Sequence, residues 1–560
     1  MVLVLRLDLL LYMRPMFLES LLSESSILSG LRGDPTHIRV SPSYLAKTPG
    51  SCSAARAVKA RPALVPDIDF PRGSNRGEDF ALGPVQDGID LIEFSPHDQG
   101  RNRGYLTTQA ERHTGLARFT VHAVASYRPH IRTLQDRHLR PVRGHWVLNE
   151  HGGNESGGTL WEAFHWGRLY ESPDGTVREF RFLRMGKADG ARRSKAETAL
   201  AALVTAYGSL APKPRGREWR EPFHVTRPNA PVARVRIAEI GLLDGSRDDL
   251  FDGTPEEAHT LYQRHAKERV REVVNTIMPT PGADCASCKR LHVCTDLRRT
   301  TGVLHVPPLE GRPRHVSASA LRYISRCPAQ AHLRDLRLPK EHEYTPANRR
   351  GHAVHAWLEA QHAAVDSSPC TVEDIPEDWW EQTGHDLDEE QARLGRHMIG
   401  HHTQICPLLA DVTHAEPEPP LAFLDTEANT VVQAKPDLLY SVDGVLIWRE
   451  TKTLHSARLR HDKLFRSFPQ LALAVVLLAQ KALNNTPEDS LVELEVLTSD
   501  GCDVFSLDPG DSAEVERARE VLDDLAMAWH REQAFPTRPG IACATCPVAR
   551  WCPDQMKDIA

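Results

Sequence analysis

The stretch Lys435-Pro-Asp-Leu-Leu-Tyr-Ser-Val-Asp-Gly-Val-Leu-Ile-Trp-Arg-Glu-Thr-Lys452 decides how this chain is read. Asp443-Gly444 separates two runs of strand-forming residues. That dipeptide suits a two-residue type I′ turn, whose central positions both need positive φ. With the turn in place Val442 faces Val445, and counting back along both strands sets Asp437 opposite Glu450. Their Cβ atoms are then roughly 4.5–5.5 Å apart on one face of the sheet. Two carboxylates so placed repel each other unless a cation lies between them. Lys452, two residues beyond Glu450, projects from the same face. Two acids and a lysine at one strand end can hold a hard divalent metal and position a water beside it.

Outward from this hairpin the cysteines set the next boundary. Of eleven, eight fall into two matching sets. Cys285-x2-Cys288-x5-Cys294 recurs as Cys543-x2-Cys546-x5-Cys552. A single cysteine lies far upstream of each triplet in similar text. Val40-Ser-Pro-Ser-Tyr-Leu precedes Cys52, and Val316-Ser-Ala-Ser-Ala-Leu precedes Cys327, which Pro328 follows. Such self-similarity is the mark of a tandem duplication. Four soft thiolates per copy suit an iron–sulfur cluster or zinc, and the uneven x2 and x5 spacing lacks the paired knuckles of a zinc ribbon. Cys370, Cys406 and Cys502 have no such pattern and read as free thiols. His113, His122, His130, His138 and His145 lack ligand spacing and read as surface or core histidines.

Pro436-Asp437 followed by Glu450-Thr-Lys452 resembles the PD-(D/E)XK nucleases, and its surroundings are similar to their RecB-type branch. A distant cysteine joined to a C-terminal triplet is similar to the 4Fe–4S staple of AddB-type and CRISPR-adaptation nucleases. The resemblance implies an α/β fold with two restriction-endonuclease-like domains, each a small mixed β-sheet flanked by helices. It implies that Asp437 and Glu450 bind Mg²⁺ or Mn²⁺ and that Lys452 helps activate the attacking water. It adds His355, the histidine of Gly351-His-Ala-Val-His355, as a further metal ligand, where helical periodicity alone sets that residue beside the buried seam. Gln470 matches the glutamine of the family's Gln-x-x-x-Tyr motif, whose tyrosine slot here holds Ala474, a departure. Glu416 or Glu418 fits the acid that the family places before the Pro-Asp hairpin. Cys327, Cys543, Cys546 and Cys552 match the cluster ligands. Cys52, Cys285, Cys288 and Cys294 are their counterparts in the first copy, with iron–sulfur or zinc both open there.

In that first copy the hairpin slot reads Arg168-Leu-Tyr-Glu-Ser-Pro-Asp-Gly-Thr-Val-Arg-Glu-Phe-Arg181-Phe-Leu183. Alignment of the Asp-Gly pairs sets Arg168 opposite Arg181 and puts Leu183 in the place of Lys452. Two guanidinium groups cannot bind Mg²⁺. They can hold an anion, or pair with acids such as Glu171 or Glu179. The organisation expected is therefore a disordered N-terminal extension over 1–36, a catalytically inactive domain over 37–299, a proline-bearing linker over 300–314, and an active domain over 315–560. A chain of 560 residues is long enough for this, and 41 % hydrophobic residues support packed cores. The formal charge of −7 excludes a uniformly basic coat, so nucleic-acid contact must be local.

The activity expected is metal-dependent hydrolysis of single- or double-stranded DNA in repair, recombination or phage defence. The alternative is a non-catalytic iron–sulfur DNA-binding or assembly factor with the same fold. No Walker A motif is present, so a helicase partner would be a separate chain. No membrane span is expected. The apolar start, broken by Arg6 and Asp8 and lacking a clean cleavage site, reads as no export signal, which implies a cytoplasmic protein.

Overall fold

The computed structural model describes residues 29–46, 51–68, 80–95, 97–152, 158–308, 311, 313–340, 345–363, 368–456 and 458–555. Most of the expected N-terminal extension lies outside these residues. Within them, Leu31–Arg32 forms a strand paired with Val65–Pro66, and Leu31 is buried, so the end of the extension is ordered.

Two five-stranded mixed sheets, flanked by helices, organise the α/β fold. In the second half of the chain the strands lie in the order Val412–Pro417, Leu438–Val442, Val445–Thr453, Ser490–Leu497, Cys502–Leu507. Neighbouring pairs are antiparallel, antiparallel, parallel and antiparallel. In the first half Arg140–Val142, Arg168–Glu171, Val177–Arg184, Arg234–Gly241 and Arg247–Gly253 follow the same order with the same directions. A parallel neighbour demands a crossover, usually helical. Lys195–Tyr207 supplies it in the first half and Pro469–Ala479 in the second. Leu471–Leu478 is apolar all round and buried all round, because the helix is covered by the sheet on one side and by helix Ser512–Arg531 on another.

Each half also has a smaller sheet. His37–Val40, Thr159–Phe164, His145–Gly152 and Ser209–Ala211 form one. Arg298–Thr300, Leu421–Asp425, Thr430–Ala434 and Arg314–Ser317 form the other. The stretch expected as a linker is thus built into the second half: Arg298–Thr300 pairs with Leu421–Asp425, and Val303, Leu304 and Val306 are buried in its core. No helix among the described residues is long and apolar enough to cross a membrane.

Candidate active site

The hairpin closes as its sequence dictates. Asp443 and Gly444 both have positive φ, 50° and 86°, and Val442 pairs with Val445. The ladder continues to Leu438 opposite Arg449, and the Asp437 N–H donates to the Arg449 carbonyl at 3.1 Å. Asp437 therefore stands level with Glu450. Lys452 Nζ lies 3.0 Å from Glu450 Oε2 and 3.3 Å from Asp437 Oδ2, so both carboxylates converge on one ammonium. Asp437 Oδ2 also accepts the Thr451 N–H at 2.7 Å, and Glu450 Oε1 accepts the indole N–H of Trp448 at 3.1 Å.

Helix Pro346–His362 brings His355 to the same place. Its start is fixed by Pro346 and by the Thr345 hydroxyl, which accepts the Asn348 N–H. A Cβ on Gly351 would come within 2.7 Å of the Thr453 hydroxyl oxygen, so the absence of a side chain there lets the helix lie against the strand that carries Glu450 and Lys452. One turn later His355 Nδ1 lies 3.1 Å from Asp437 Oδ1. Glu418 completes the group. Its backbone, at φ 47°, follows strand Val412–Pro417, its N–H donates to the Asp437 carbonyl at 3.2 Å, and its carboxylate pairs with Lys435. One donor atom each from His355, Glu418 and Asp437 lie within 4.8 Å of one another.

Burial works against the charges of this group, and they hold one another in place. Burial would raise Asp437, yet His355 and Lys452 keep its carboxyl well below the usual range. Burial would lower His355, and Asp437 outweighs it, so the imidazole is more basic than usual. Burial raises Glu450, and the charge on Asp437 raises it further against the pull of Lys452. Burial would lower Lys452, but Glu450 and Asp437 lift it well above its ordinary value. Such a cluster of mutually perturbed groups beside a cleft is the arrangement expected of a functional site.

Residues 315–553 match the family model described as the PD-(D/E)XK nuclease superfamily. Residues 315–553 are a PD-(D/E)XK nuclease superfamily domain. No curated protein matches the chain. Among solved structures, the one titled "Crystal structure of SSO0001" is similar at 13 % identity, over 42 % of this chain and 96 % of that one, with a TM-score of 0.20. Members of the superfamily are generally nucleases and typically use divalent metals.

This domain brings Asp437, Glu450, Lys452 and His355 together. Gln470 lies half-buried in the first turn of helix Pro469–Ala479, and among the described residues it makes no hydrogen bond with those four. Of the two acids left open, Glu416 points outward, 4.0 Å from His414, and Glu418 points inward. Glu359, one turn beyond His355, also lines the cleft, and burial raises its carboxyl, as does Glu418. Sequence reasoning did not single it out, although its spacing from His355 puts both on one helix face.

Both thiol quartets assemble. Cys327, Cys543, Cys546 and Cys552 line one cavity of the nuclease domain, and Cys52, Cys285, Cys288 and Cys294 line another in the first half. Burial raises the Cys285 and Cys288 thiols to about 11, and neighbouring cysteines add to both shifts. Backbone N–H groups point at the sulfurs: Thr280 and Ala55 at Cys52, Gly282 at Cys285, and Gly540 at Cys543, all at 3.3–3.4 Å. Hydrogen bonds to sulfur of this kind stabilise thiolates around a cation. Neither quartet has three donors within 4.8 Å of one another. One tetrahedral zinc would need sulfurs about 3.8 Å apart.

In the first half Arg168 pairs with Arg181 across the sheet, as aligned. The connection differs, however. Ser172 and Val177 close a longer loop in which Gly175 alone has positive φ. Both arginines are paired with acids: Arg168 with Asp90 and Glu93, and Arg181 donates to Glu179 at 2.6 Å. His122 and His130 bond the Leu243 and Gly245 carbonyls, and His145 is buried in an aromatic cluster.

Proposed function

We propose that residues 315–553 form a metal-dependent nuclease that hydrolyses phosphodiester bonds of DNA, in repair, recombination or phage defence. The observation that carries this reading is the convergence of His355, Asp437 and Glu450 around Lys452 on one strand end of a PD-(D/E)XK domain. Carboxylates with an imidazole are a donor set that suits Mg²⁺ or Mn²⁺. His355, Asp437 and Glu450 would hold the ion, with Glu418 beside them. The ion, when bound, lowers the pKa of water and neutralises charge at the phosphate. Lys452, kept as an ammonium, donates hydrogen bonds that orient the attacking water and the phosphate oxygen. Thr451 fixes Asp437 through its N–H. Gln470, at a helix N-terminus past the strand, is assigned to the approaching strand rather than to the ion.

We assign a structural 4Fe–4S cluster to Cys327, Cys543, Cys546 and Cys552. The donors are all thiols, their spacing is wider than one ion needs, and N–H groups face the sulfur. The same features extend the assignment to Cys52, Cys285, Cys288 and Cys294. The matching sheet orders and quartets support a tandem duplication whose first copy, residues 37–299, is catalytically inactive, because Arg168, Arg181 and Leu183 replace the acids and lysine. The second copy is the active one, in a RecB-like arrangement.

The test uses the full chain, purified anaerobically, on labelled single- and double-stranded DNA with Mn²⁺ or Mg²⁺ and with EDTA. Cleavage should require the ion. Glu450→Ala and Lys452→Ala should each abolish it and leave iron and acid-labile sulfide unchanged. Binding without cleavage in the wild type would instead favour an assembly factor.

A further inference from the structure

Two turns along the helix that carries His355 lies His362, and around it a second set of donors closes. His362 Nε2 is 3.3 Å from His402 Nε2, 3.6 Å from Cys370 Sγ and 3.7 Å from Cys406 Sγ. One atom from each of the four residues lies within 4.8 Å of the others, and all four residues are buried, between 1 % and 6 % exposed. A tetrahedral zinc with two imidazole and two thiolate ligands has edges of about 3.3 Å between nitrogens and about 3.5 Å between nitrogen and sulfur. The three edges match that tetrahedron. Two thiols and two imidazoles gathered among Trp357, Leu358, Ile375, Met398 and Leu408 have no apolar reason to face one another.

The ligands are also oriented from behind. His402 Nδ1 is 2.6 Å from Oε1 of the buried Glu495, in strand Ser490–Leu497. A ring that donates from Nδ1 to a carboxylate carries its lone pair on Nε2, the atom that faces His362, Cys370 and Cys406. That carboxylate–histidine pairing is the usual support of a metal-ligating imidazole. Glu495 in turn is balanced by Arg449, 3.7 Å away, and its Oε2 accepts the Thr451 hydroxyl at 3.0 Å.

We propose that His362, Cys370, His402 and Cys406 bind one zinc ion in a tetrahedral Cys₂His₂ site. Its four ligands belong to neither thiol quartet nor to the His355–Asp437–Glu450 group, and His362 borders the cleft that His355 and Asp437 line. Its role follows from where its ligands sit. His362 ends helix Pro346–His362, His402 ends helix Glu389–His402, and the cysteines lie in the segments that leave those helices. The ion fastens the two helices to each other. Through Glu495 and Thr451 it also fastens them to the strand that holds Glu450 and Lys452. His355 is thereby held at a fixed distance from Asp437. The site stands on its own donors and does not depend on the nuclease reading.

The experiment is metal analysis and spectroscopy on the full chain. The wild type, grown with zinc, should carry one zinc per chain beyond its iron. Zinc K-edge absorption should show two sulfur and two nitrogen ligands. Cobalt grown or exchanged into the protein should give the intense visible bands of a tetrahedral site with thiolate-to-cobalt charge transfer. The double variant Cys370→Ser/Cys406→Ser should lose the zinc and keep the iron. Glu495→Gln should keep all four ligands and bind zinc about 10–100-fold more weakly in chelator competition. Three results would overturn the proposal: a zinc content in the double variant equal to that of the wild type; wild type with neither zinc nor the cobalt bands; or an intact mass two hydrogens light with Cys370 and Cys406 in one disulfide-linked peptide. The cobalt spectrum is read on the wild type, so the conclusion survives a double variant that fails to fold.

Discussion

In the metal-free protein the counter-ion of the two site carboxylates is Lys452, and its removal tests the geometry directly. Lys452→Met keeps the length of the side chain and deletes the charge that lies 3.0 Å from Glu450 and 3.3 Å from Asp437. At an effective dielectric of about 20, each contact amounts to roughly 5 kcal/mol of gross attraction, most of which offsets desolvation. Removing one partner of such a buried arrangement costs about 3–5 kcal/mol. For a domain of this size that lowers the melting temperature by roughly 6–20 °C. The loss should depend on pH. Glu450, already raised by burial, rises further without Lys452, so the folded state takes up a proton that the unfolded state releases. A carboxyl raised on folding makes stability fall as pH rises through its folded value. The variant should therefore be close to wild type near pH 5 and increasingly destabilised toward pH 8. Manganese should reverse the pattern. It has no ammonium to displace in Lys452→Met, so it should stabilise the variant more than the wild type. Binding at a hundred times Kd is worth about 2.7 kcal/mol. Calorimetric melts of both proteins at several pH values, with EDTA and with Mn²⁺, measure all of this. A variant that melts within about 2 °C of wild type at pH 8 in EDTA, with no extra gain from Mn²⁺, would refute the counter-ion role of Lys452.

Two further substitutions probe separate parts of the molecule. Gly351→Ala puts a methyl 2.7 Å from the Thr453 hydroxyl oxygen. It should cost about 1–3 kcal/mol by overpacking and lower DNA cleavage by moving His355 from Asp437, whereas Gly400→Ala, in open space on helix Glu389–His402, should leave both unchanged. Glu179→Gln in the first half removes the charge shared by Arg181, Arg247 and Arg137. It should destabilise that half by about 3–5 kcal/mol in urea melts and leave cleavage by the second half intact. Against burial, Arg181 and Arg247 hold Glu179 down to about 2, so its stabilisation is full above the unfolded carboxyl value and is lost as pH falls toward 2. The variant should lack that part of the acid limb.

What could be read from the chain was set by local geometry. Asp443-Gly444 fixes a two-residue turn, a two-residue turn fixes register, and register with a period of two puts Asp437, Glu450 and Lys452 on one face without knowledge of anything else. The Arg168–Arg181 pairing survived even though its loop is longer, because Ser172 and Val177 keep the same register across it. The cysteine quartets were legible because a repeat displays them twice. Glu418 was not legible. Its direction comes from a left-handed residue after Pro417 and from the hydrogen bond to the Asp437 carbonyl, a contact made only when strand Val412–Pro417 has paired. The Cys₂His₂ cluster was missed for a related reason. Its members are His362-x7-Cys370 and His402-x3-Cys406, two short pairs separated by a helix, and each pair spans a helix end. Across a helix terminus neither the helical nor the strand period applies, so the spacing carries no signal until the terminus is known. The signal that was available is that both histidines end a helix and both cysteines follow within eight residues. A Cys370 or Cys406 taken alone is a small buried hydrophobe. It becomes a ligand only because helices Pro346–His362 and Glu389–His402 pack side by side, and because Glu495, from a strand some ninety residues later, turns the His402 lone pair toward both sulfurs.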